Sequence, residues 1–368
     1  MKIGVYTICK DEEQHVDQFM DSVRDADYIT IADTGSTDRT VDRLKTRAIM
    51  LGKGWRQFAV HDISINPWRF DTARNVALSL APTEIDVCIR LDMDEVLDPG
   101  WRKALEAAWN HPELTQLWYT FNHAPGYSFH ANYIHARQGF VWRGMDHEGL
   151  YRATGLRGMT TFARGLSITH HQDRSKPRTA ILGRLETQVA EDKRARTLYY
   201  LGREYFYYNH SQKCVDTFME YLKQPDAVWE PERMDSMSMV AESYFKLGNI
   251  GKAIDWYHRA IAEYNTREPM LGLAKLLAKV NNKAMAFGLV QQALRANNKL
   301  TNIFVKTWAW NDEPYILATQ LANDLGLPTL AAEFASKMSA KPTRPAATES
   351  SATGPDLDML PVDILSAA

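Results

Sequence analysis

This sequence of 368 residues has few cysteines, no long apolar run and no large excess of charge of either sign. Its three cysteines, Cys9, Cys88 and Cys214, lie far apart. This spacing argues against a disulfide framework or a zinc site, and it favours buried thiols in a reducing compartment. No apolar run reaches the roughly 18 residues of a membrane helix, and residues 1–8 are too few for the apolar region of a signal peptide. We therefore expect a soluble, cytoplasmic protein without membrane insertion.

The total charge gives no hint of a polyanionic partner, because a net charge of −2 exerts no general attraction on nucleic acid or membrane. One stretch differs: between Arg152 and Arg196, ten basic residues stand against four acidic ones. Folded onto one face, this stretch would attract a phosphate-bearing acceptor, including modified DNA. The alternative is a solvated linker and helix surface.

What the sequence does contain is a regular alternation of strand and helix patterns in about its first 100 residues. Short β-branched runs at residues 3–9 and 28–32 predict buried strands, and a helical pattern follows each of them. A third strand is predicted within residues 61–68, and a helix begins at Phe70. This alternation predicts a parallel sheet that binds its ligands at the carboxyl ends of the strands.

An acidic group follows the next apolar run, at Asp92, Asp94 and Glu95. Because strand residues alternate sides, Asp92 and Asp94 project the same way, and two such carboxylates repel each other unless a cation lies between them. Mg²⁺ and Mn²⁺ suit this arrangement, since they bind one or two protein carboxylates together with substrate phosphates. We therefore predict a divalent metal that holds a nucleotide diphosphate. An ordinary acidic turn is the alternative.

Four motifs, at residues 7–12, 33–38, 70–75 and 91–95, together resemble those of family 2 glycosyltransferases with the GT-A fold. In that family the first strand end and the Asp-Thr-Gly-Ser loop hold the base and ribose of a nucleotide sugar. The resemblance assigns Thr7, Asp11, Asp33 and Ser36 to the nucleotide, Arg74 to the base or diphosphate, Asp92 to the ribose and Asp94 to the metal. Without the resemblance, Asp33 and Ser36 could equally cap the helix at Thr40.

Residues 127–151 are dense in aromatic and histidine side chains, which suit either a sugar ring or ordinary packing. Members of the group that carry helical repeats have a similar His-Glu pair at the position of His147 and Glu148. Inverting transfer uses a carboxylate that removes the acceptor proton, and we predict Glu148 for this role, with Asp146 as the second candidate. Glu148 could instead only orient His147. His170, in a short strand predicted at residues 167–171, is the predicted further metal ligand, with a plain surface histidine as the alternative.

The second half of the chain loses the strand signal and shows a helical repeat. The same spacing of residues occurs twice, first at Leu201, Tyr205, Cys214 and Phe218 and then at Val240, Tyr244, Ala253 and Tyr257. This spacing resembles the tetratricopeptide pattern. We therefore predict a GT-A domain over residues 1–175, tetratricopeptide-like repeats over 176–338 and a disordered, Pro- and Ser-rich tail over 339–368.

The predicted function is a metal-dependent, inverting glycosyltransferase of the hexosyl- or pentosyltransferase class. The donor is a nucleotide sugar, with a UDP-sugar favoured, and the acceptor is a cytoplasmic glycan, peptide side chain or other hydroxyl, which the repeats could dock. Two alternatives remain open: transfer to hydroxymethylated bases of phage DNA, and an inactive transferase domain that serves a repeat-based binding protein. A homodimer is also possible.

Overall fold

The computed structural model describes residues 1–54, 56–125, 127–153, 155, 157–171, 181–300 and 304–338. Contacts between residues divide the chain into two compact units, of which the first covers Met1–Arg184 and the second begins at Leu185. The predicted boundary between residues 175 and 176 and the predicted tail from residue 339 lie outside the described residues. No helix in the described ranges is both long and apolar enough to cross a bilayer.

The first unit consists of two sheets and a few helices. Its strands are β1 (Ile3–Cys9), β2 (Tyr28–Asp33), β3 (Phe58–Asp62), β4 (Val87–Arg90), β5 (Glu95–Leu97), β6 (Leu114–Ala124), β7 (Tyr127–Ala136), β8 (Phe140–Arg143), β9 (Gly149–Arg152) and β10 (Met159–His170). Its helices are α1 (Val16–Ser22), α2 (Thr40–Met50), α3 (Phe70–Leu80) and α4 (Trp101–Ala108). The described strands form an eight-stranded sheet in the order β3-β2-β1-β4-β7-β6-β10-β5 and a two-stranded sheet of β8 and β9.

Parallel pairing joins the first four strands. β1 pairs in parallel with β2 and β4, and β2 pairs in parallel with β3. β1 is buried along almost its whole length, as expected for a short apolar strand inside a parallel sheet. Because these strands run the same way, the loops that follow Cys9, Asp33 and Arg90 meet at one edge of the sheet. This arrangement confirms the predicted α/β fold class of the GT-A type.

Two strands differ from their predicted positions. β3 begins before the predicted residues 61–68 and overlaps them only at His61 and Asp62. It pairs with β2 from Phe58 onward, and Pro67 cannot donate a hydrogen bond to a ladder. The short strand predicted at residues 167–171 is the end of the longer β10, whose first half pairs with β6. Most residues of that half are polar or exposed, which weakened the strand signal.

The second unit is helical and confirms the predicted repeats. Helix α5 (Ile181–Glu191) contains the boundary between the units, and the helices after it follow one another in pairs: α6 (Ala195–Tyr207) with α7 (Ser211–Tyr221), α8 (Glu230–Lys246) with α9 (Ile250–Glu263), α10 (Arg267–Lys279) with α11 (Lys283–Arg295), and α12 (Glu313–Asp324) with α13 (Pro328–Ser336). Gly202 of α6 lies so close to Phe218 of α7 that a Cβ on it would stand 2.9 Å from the ring. Gly272 of α10 approaches Tyr257 of α9 in the same way, at 2.6 Å. Glycines at these positions thus allow close contacts between neighbouring helices.

A connecting segment with a short 3₁₀-helix (Thr307–Ala309) packs against these helices. We call residues 304–310 the strap. Phe304 is buried against Trp229 and Tyr199, with ring centroids 4.7 and 5.7 Å apart. Further along the strap, the indole N–H of Trp310 donates a hydrogen bond to Glu268 of α10 at 2.8 Å. The chain therefore covers part of the repeat face with its own residues.

Candidate active site

The loops at the carboxyl edge of the large sheet border a pocket of about 580 Å³. Three predicted site residues line it, namely Arg74, Asp92 and Asp94. Sequence reasoning missed most of the remaining lining, which includes Lys10, Glu12 and Thr34 from the strand-end loops and Ser64, Ile65, Trp68 and Phe70 from the segment before α3 and its first residue. The volume lies in the range of sites for small ligands.

The other predicted nucleotide contacts, Thr7, Asp11, Asp33 and Ser36, do not belong to this lining. Asp33 is 5% exposed and accepts hydrogen bonds from the Ser36 hydroxyl and from two backbone N–H groups of its own loop, at 3.1 and 3.0 Å. The Ser36 hydroxyl accepts a hydrogen bond from the backbone N–H of Asp11 at 3.0 Å. Thr7 is buried within β1, and its hydroxyl donates to the next carbonyl at 3.1 Å. The contacts of Asp11, Asp33 and Ser36 join the first two strand-end loops, and the nucleotide-binding roles of all four residues stay a prediction.

A chain of alternating charges lies beside the pocket. Arg74 of α3 is buried and donates to both oxygens of Asp92, at 2.9 and 3.3 Å, and through Nε to Glu148. Arg90, the last residue of β4, also donates to Asp92 and reaches both oxygens of Glu95 at 3.2 and 3.3 Å. The order Glu148, Arg74, Asp92, Arg90, Glu95 therefore gives each charged group a neighbour of opposite sign, which buried charges require.

These neighbours fix the ionisation of Asp92. Burial opposes the charged form, but the guanidinium groups of Arg74 and Arg90 lower the pKa of Asp92 to about 2. Burial raises the pKa of Glu95 above its ordinary value in spite of Arg90. Asp92 is therefore an anion at neutral pH, and arginines contact both of its oxygens.

Aromatic rings support the two arginines. The guanidinium carbons of Arg74 and Arg90 lie 5.5 and 5.9 Å from the ring centroid of Trp142, distances at which a cation is attracted to the ring. The indole N–H of Trp142 donates to the Tyr6 hydroxyl at 2.8 Å, and that hydroxyl lies 2.9 Å from His135 Nε2. Burial lowers the pKa of His135 to about 4, so its ring is neutral at physiological pH.

Helix α3 also fixes the segment that carries Glu148. The side-chain amide of Asn75 donates to the carbonyl of Trp142 and its oxygen accepts from the N–H of the same residue, both at 2.9 Å. Asp71, one turn earlier, accepts from the N–H of Gly144 at 2.9 Å. Arg74 lies between these two anchors and contacts Glu148 itself. The residue order Asp71, Arg74, Asn75 thus places β8 and the loop after it against α3.

The two candidate bases have different surroundings. Asp146 is 5% exposed, and both of its oxygens accept from Arg184, Oδ1 at 3.0 Å. Glu148 contacts Arg74 through one oxygen, Oε1. A general base needs a free lone pair that faces its substrate, so these contacts favour Glu148. Its catalytic role stays a prediction.

The two predicted metal ligands lie side by side. His170 Nε2 is 3.2 Å from Asp94 Oδ2, and the backbone N–H of His171 donates to the carbonyl of Asp94 at 2.7 Å. Although burial opposes protonation, Asp94 raises the pKa of His170. The His123 ring stacks on His170 with centroids 5.1 Å apart and fixes its orientation.

This pair fits a metal that also binds a diphosphate. Mg²⁺ and Mn²⁺ take few protein ligands when phosphate oxygens complete their coordination, and Asp94 offers the carboxylate oxygens that both ions prefer. Within the described residues, no three His, Cys, Asp or Glu side chains converge as a metal cluster. One carboxylate and one imidazole leave coordination positions that phosphate oxygens of a substrate can fill.

The described part of the basic stretch is largely engaged in local contacts. Arg152 donates to the Thr160 hydroxyl, Arg184 is paired with Asp146, and Arg194 is paired with Asp192. Residues 172–180, with three of its basic side chains, lie outside the described residues. Binding of DNA to this stretch stays a prediction.

A comparison with known protein families gives a match within the first unit. Residues 5–169 match the model of a family described as Glycosyl transferase family 2. This match confirms the resemblance seen in the four motifs. No curated protein matches the chain.

The solved structures that resemble part of the chain have low sequence identity to it and low TM-scores. They include PilF of Pseudomonas aeruginosa, with 17% identity over 41% of this chain and 63% of that one and a TM-score of 0.33. MamA of Desulfovibrio magneticus RS-1 shows 14% identity over 42% and 80% of the two chains, with a TM-score of 0.34. PilW shows 14% identity over 42% and 66%, with a TM-score of 0.36. The match to PilF spans less than two thirds of that protein's length.

Proposed function

Because the first unit of this chain carries a family 2 glycosyltransferase domain, we propose that it transfers a sugar, with inversion, from a nucleotide-sugar donor to an acceptor hydroxyl. The observation that supports this proposal is the convergence of Arg74, Asp92 and Asp94 on one pocket at the carboxyl edge of the sheet. A UDP-sugar is the favoured donor. We assign a divalent cation, Mn²⁺ or Mg²⁺, to Asp94 and His170.

The chemistry is a single displacement at the anomeric carbon. Glu148 takes the proton of the acceptor hydroxyl, the acceptor oxygen forms a bond to the anomeric carbon, and the bond from that carbon to the diphosphate oxygen breaks. Arg74, which is held between Glu148 and Asp92 and lines the pocket, is assigned to the nucleoside diphosphate that leaves. A bound divalent cation would neutralise negative charge on that leaving group.

The acceptor is proposed to dock on the second unit. A groove of about 540 Å³ lies among α6, α8, α10 and the strap. Its lining includes aromatic rings such as Phe245 and Tyr257, and four lysines, of which Lys246 and Lys279 are exposed, against the three carboxylates of Asp235, Glu242 and Glu268. Aromatic faces and cationic side chains suit a polar chain with some acidic character, either a peptide or an anionic glycan. This surface supports a macromolecular acceptor over a free monosaccharide.

A donor screen tests the proposal directly. The full-length protein is incubated with UDP-, GDP- and dTDP-sugars in Mn²⁺, and release of the free nucleoside diphosphate is measured. We expect slow hydrolysis of one donor class, lost in excess chelator and restored by Mn²⁺. Calorimetry with the same nucleotides distinguishes an active transferase, which binds its donor, from an inactive transferase domain, which binds none of them. Transfer to hydroxymethylated DNA but to no glycan or peptide would favour the DNA alternative.

A further inference from the structure

Arg90 is a buried charged residue that the proposed chemistry does not use. It lies at the end of β4, a strand of otherwise apolar residues, and is 3% exposed. Its Nη2 donates to Asp92, and its Nη1 lies 3.2 Å from Glu95 Oε1. Burying a guanidinium group is unfavourable unless its partners compensate. Asp92 and Glu95 provide that compensation, and removing Arg90 would leave these carboxylates with one cationic partner fewer.

The two carboxylates that Arg90 contacts, Asp92 and Glu95, both belong to the acidic turn that borders the pocket. Glu95 accepts a hydrogen bond from the backbone N–H of Asp92 at 2.9 Å, and its own N–H donates back to the carbonyl of Asp92 at 3.1 Å. Arg90 therefore holds the side chain of Asp92 directly, and it holds the backbone of the same residue through Glu95. The ring of Tyr133 lies 5.1 Å below the guanidinium carbon and fixes its plane.

We propose that Arg90 is a positioning residue for the transfer reaction, a role that rests on the proposed function. It fixes Asp92, Asp92 fixes the guanidinium group of Arg74, and Arg74 fixes Glu148. Asp92 separates Arg90 from Arg74, and Asp92 and Arg74 together separate it from Glu148. Arg90 is absent from the residues that line the pocket. It acts on the reaction only through Asp92.

The planar guanidinium group is essential to this role. Arginine can bond two carboxylates in one plane and stack on a ring, whereas the ammonium group of lysine is a compact charge on a flexible stem. Arg90→Lys keeps the charge and loses the bridge. Arg90→Met loses both.

The test measures donor turnover by the full chain for wild type, R90K, R90M, D92N and the double variant R90M/D92N. We expect R90M to lower kcat roughly 10- to 100-fold, as misplacement of a catalytic group by about 1 Å does. R90K should retain part of the rate. The double variant should be no slower than the slower single variant, because both substitutions break the same link.

Arg102 provides a matched control. It also bridges two carboxylates of the first unit, Asp27 at 3.0 Å and Glu106 at 2.9 Å, but it is absent from the pocket lining. R102M should leave kcat within about twofold of wild type. Thermal melting of every variant separates slow turnover from unfolding.

Several outcomes would overturn the role of Arg90. These are wild-type kcat in R90M, equal losses in R90M and R102M, or multiplicative losses in the double variant. If R90M does not fold, R90K decides: a slowed but folded R90K supports the proposal, and wild-type turnover or unfolding of R90K as well removes it. An inactive wild-type protein would instead remove the proposed function, and the role of Arg90 with it.

Discussion

Asp94 is the residue at which the proposed function is most directly testable. Asp94→Asn keeps the size of the side chain and removes the charge that a divalent cation needs. Because preorganised charge at a leaving group is worth several kcal/mol, we expect donor turnover to fall roughly 100-fold or more. The melting temperature should stay close to that of wild type, since Asp94 is partly exposed and its side chain contacts chiefly His170.

The control for this substitution is Asp62→Asn at the end of β3, an exposed carboxylate at the same edge of the sheet. Turnover, and Mn²⁺ binding by calorimetry in the presence of UDP, are measured for both variants. Near wild-type turnover of the Asp94 variant, or full activity in excess chelator, would exclude a metal-dependent mechanism.

Substitutions of the two candidate bases should separate catalysis from stability. Glu148→Gln keeps a hydrogen bond to Arg74 but cannot take a proton, so kcat should fall about 10²- to 10⁴-fold with little change in donor KM. Asp146→Asn removes a charge paired with Arg184. We expect it to lower the free energy of unfolding by about 1–3 kcal/mol and to change kcat far less. Steady-state kinetics and urea unfolding measure the two effects, and the reverse pattern would make Asp146 the base.

At the scale of elements, the repeat helices hold a buried carboxyl group that makes stability depend on pH. Glu232 of α8 accepts a hydrogen bond from the Tyr221 hydroxyl at 2.9 Å, yet burial raises its pKa from 4.5 to about 7. Between these two pH values the folded protein retains a proton that the unfolded chain has lost. Stability from this group therefore falls as pH rises from about 4.5 to 7, by roughly 3 kcal/mol in all.

Glu232→Gln should remove this dependence. Its unfolding free energy, measured by denaturant titration from pH 4.5 to 7.5, should exceed that of wild type increasingly as pH rises. Glu242→Gln, an exposed substitution on the same helix, serves as the control and should follow wild type. Parallel curves for wild type and the Glu232 variant would contradict the raised pKa.

The strap contributes to the stability of the helices that it crosses. Phe304 is 2% exposed and packs on Tyr199 and Trp229. Phe304→Ala should therefore cost about 3–5 kcal/mol of local stability. Amide hydrogen exchange in α6 and α8 measures this loss in the full chain. Val228→Ala, at a residue that is 63% exposed, should leave exchange unchanged, and equal exchange in the two variants would contradict a packing role for the strap.

Local patterns in the sequence predicted β1, α3 and the repeat helices, because each depends on periodic apolar residues or on small residues at fixed offsets. Contacts between distant residues were not predictable in this way. The strap is held by single side chains such as Phe304 and Trp310, which have no period. The role of Arg90 depends on Asp92 and Glu95 folding back on it within one turn. A lone arginine in an apolar strand next to an acidic group was the available signal.

At the scale of the whole molecule, a transferase domain and helical repeats suggest that donor chemistry and acceptor capture use different surfaces. The proposed donor pocket belongs to the first unit and the proposed acceptor groove to the second. Substitutions in the groove should then alter the acceptor KM and leave donor hydrolysis intact. Substitutions at the donor pocket should abolish both reactions.

The last prediction reverses charge in the groove. In Lys246→Glu/Lys279→Glu, two exposed lysines of the groove become acidic. Because an acceptor with acidic character would then be repelled, we expect its KM to rise roughly 10-fold, with a smaller effect at high salt, while hydrolysis of the donor stays within about twofold of wild type. The control, Lys223→Glu/Lys252→Glu, makes the same change in net charge at exposed positions outside the groove. An equal rise in KM in both variants would show that total charge matters and not the groove, and an unchanged KM in both would place acceptor capture away from these lysines.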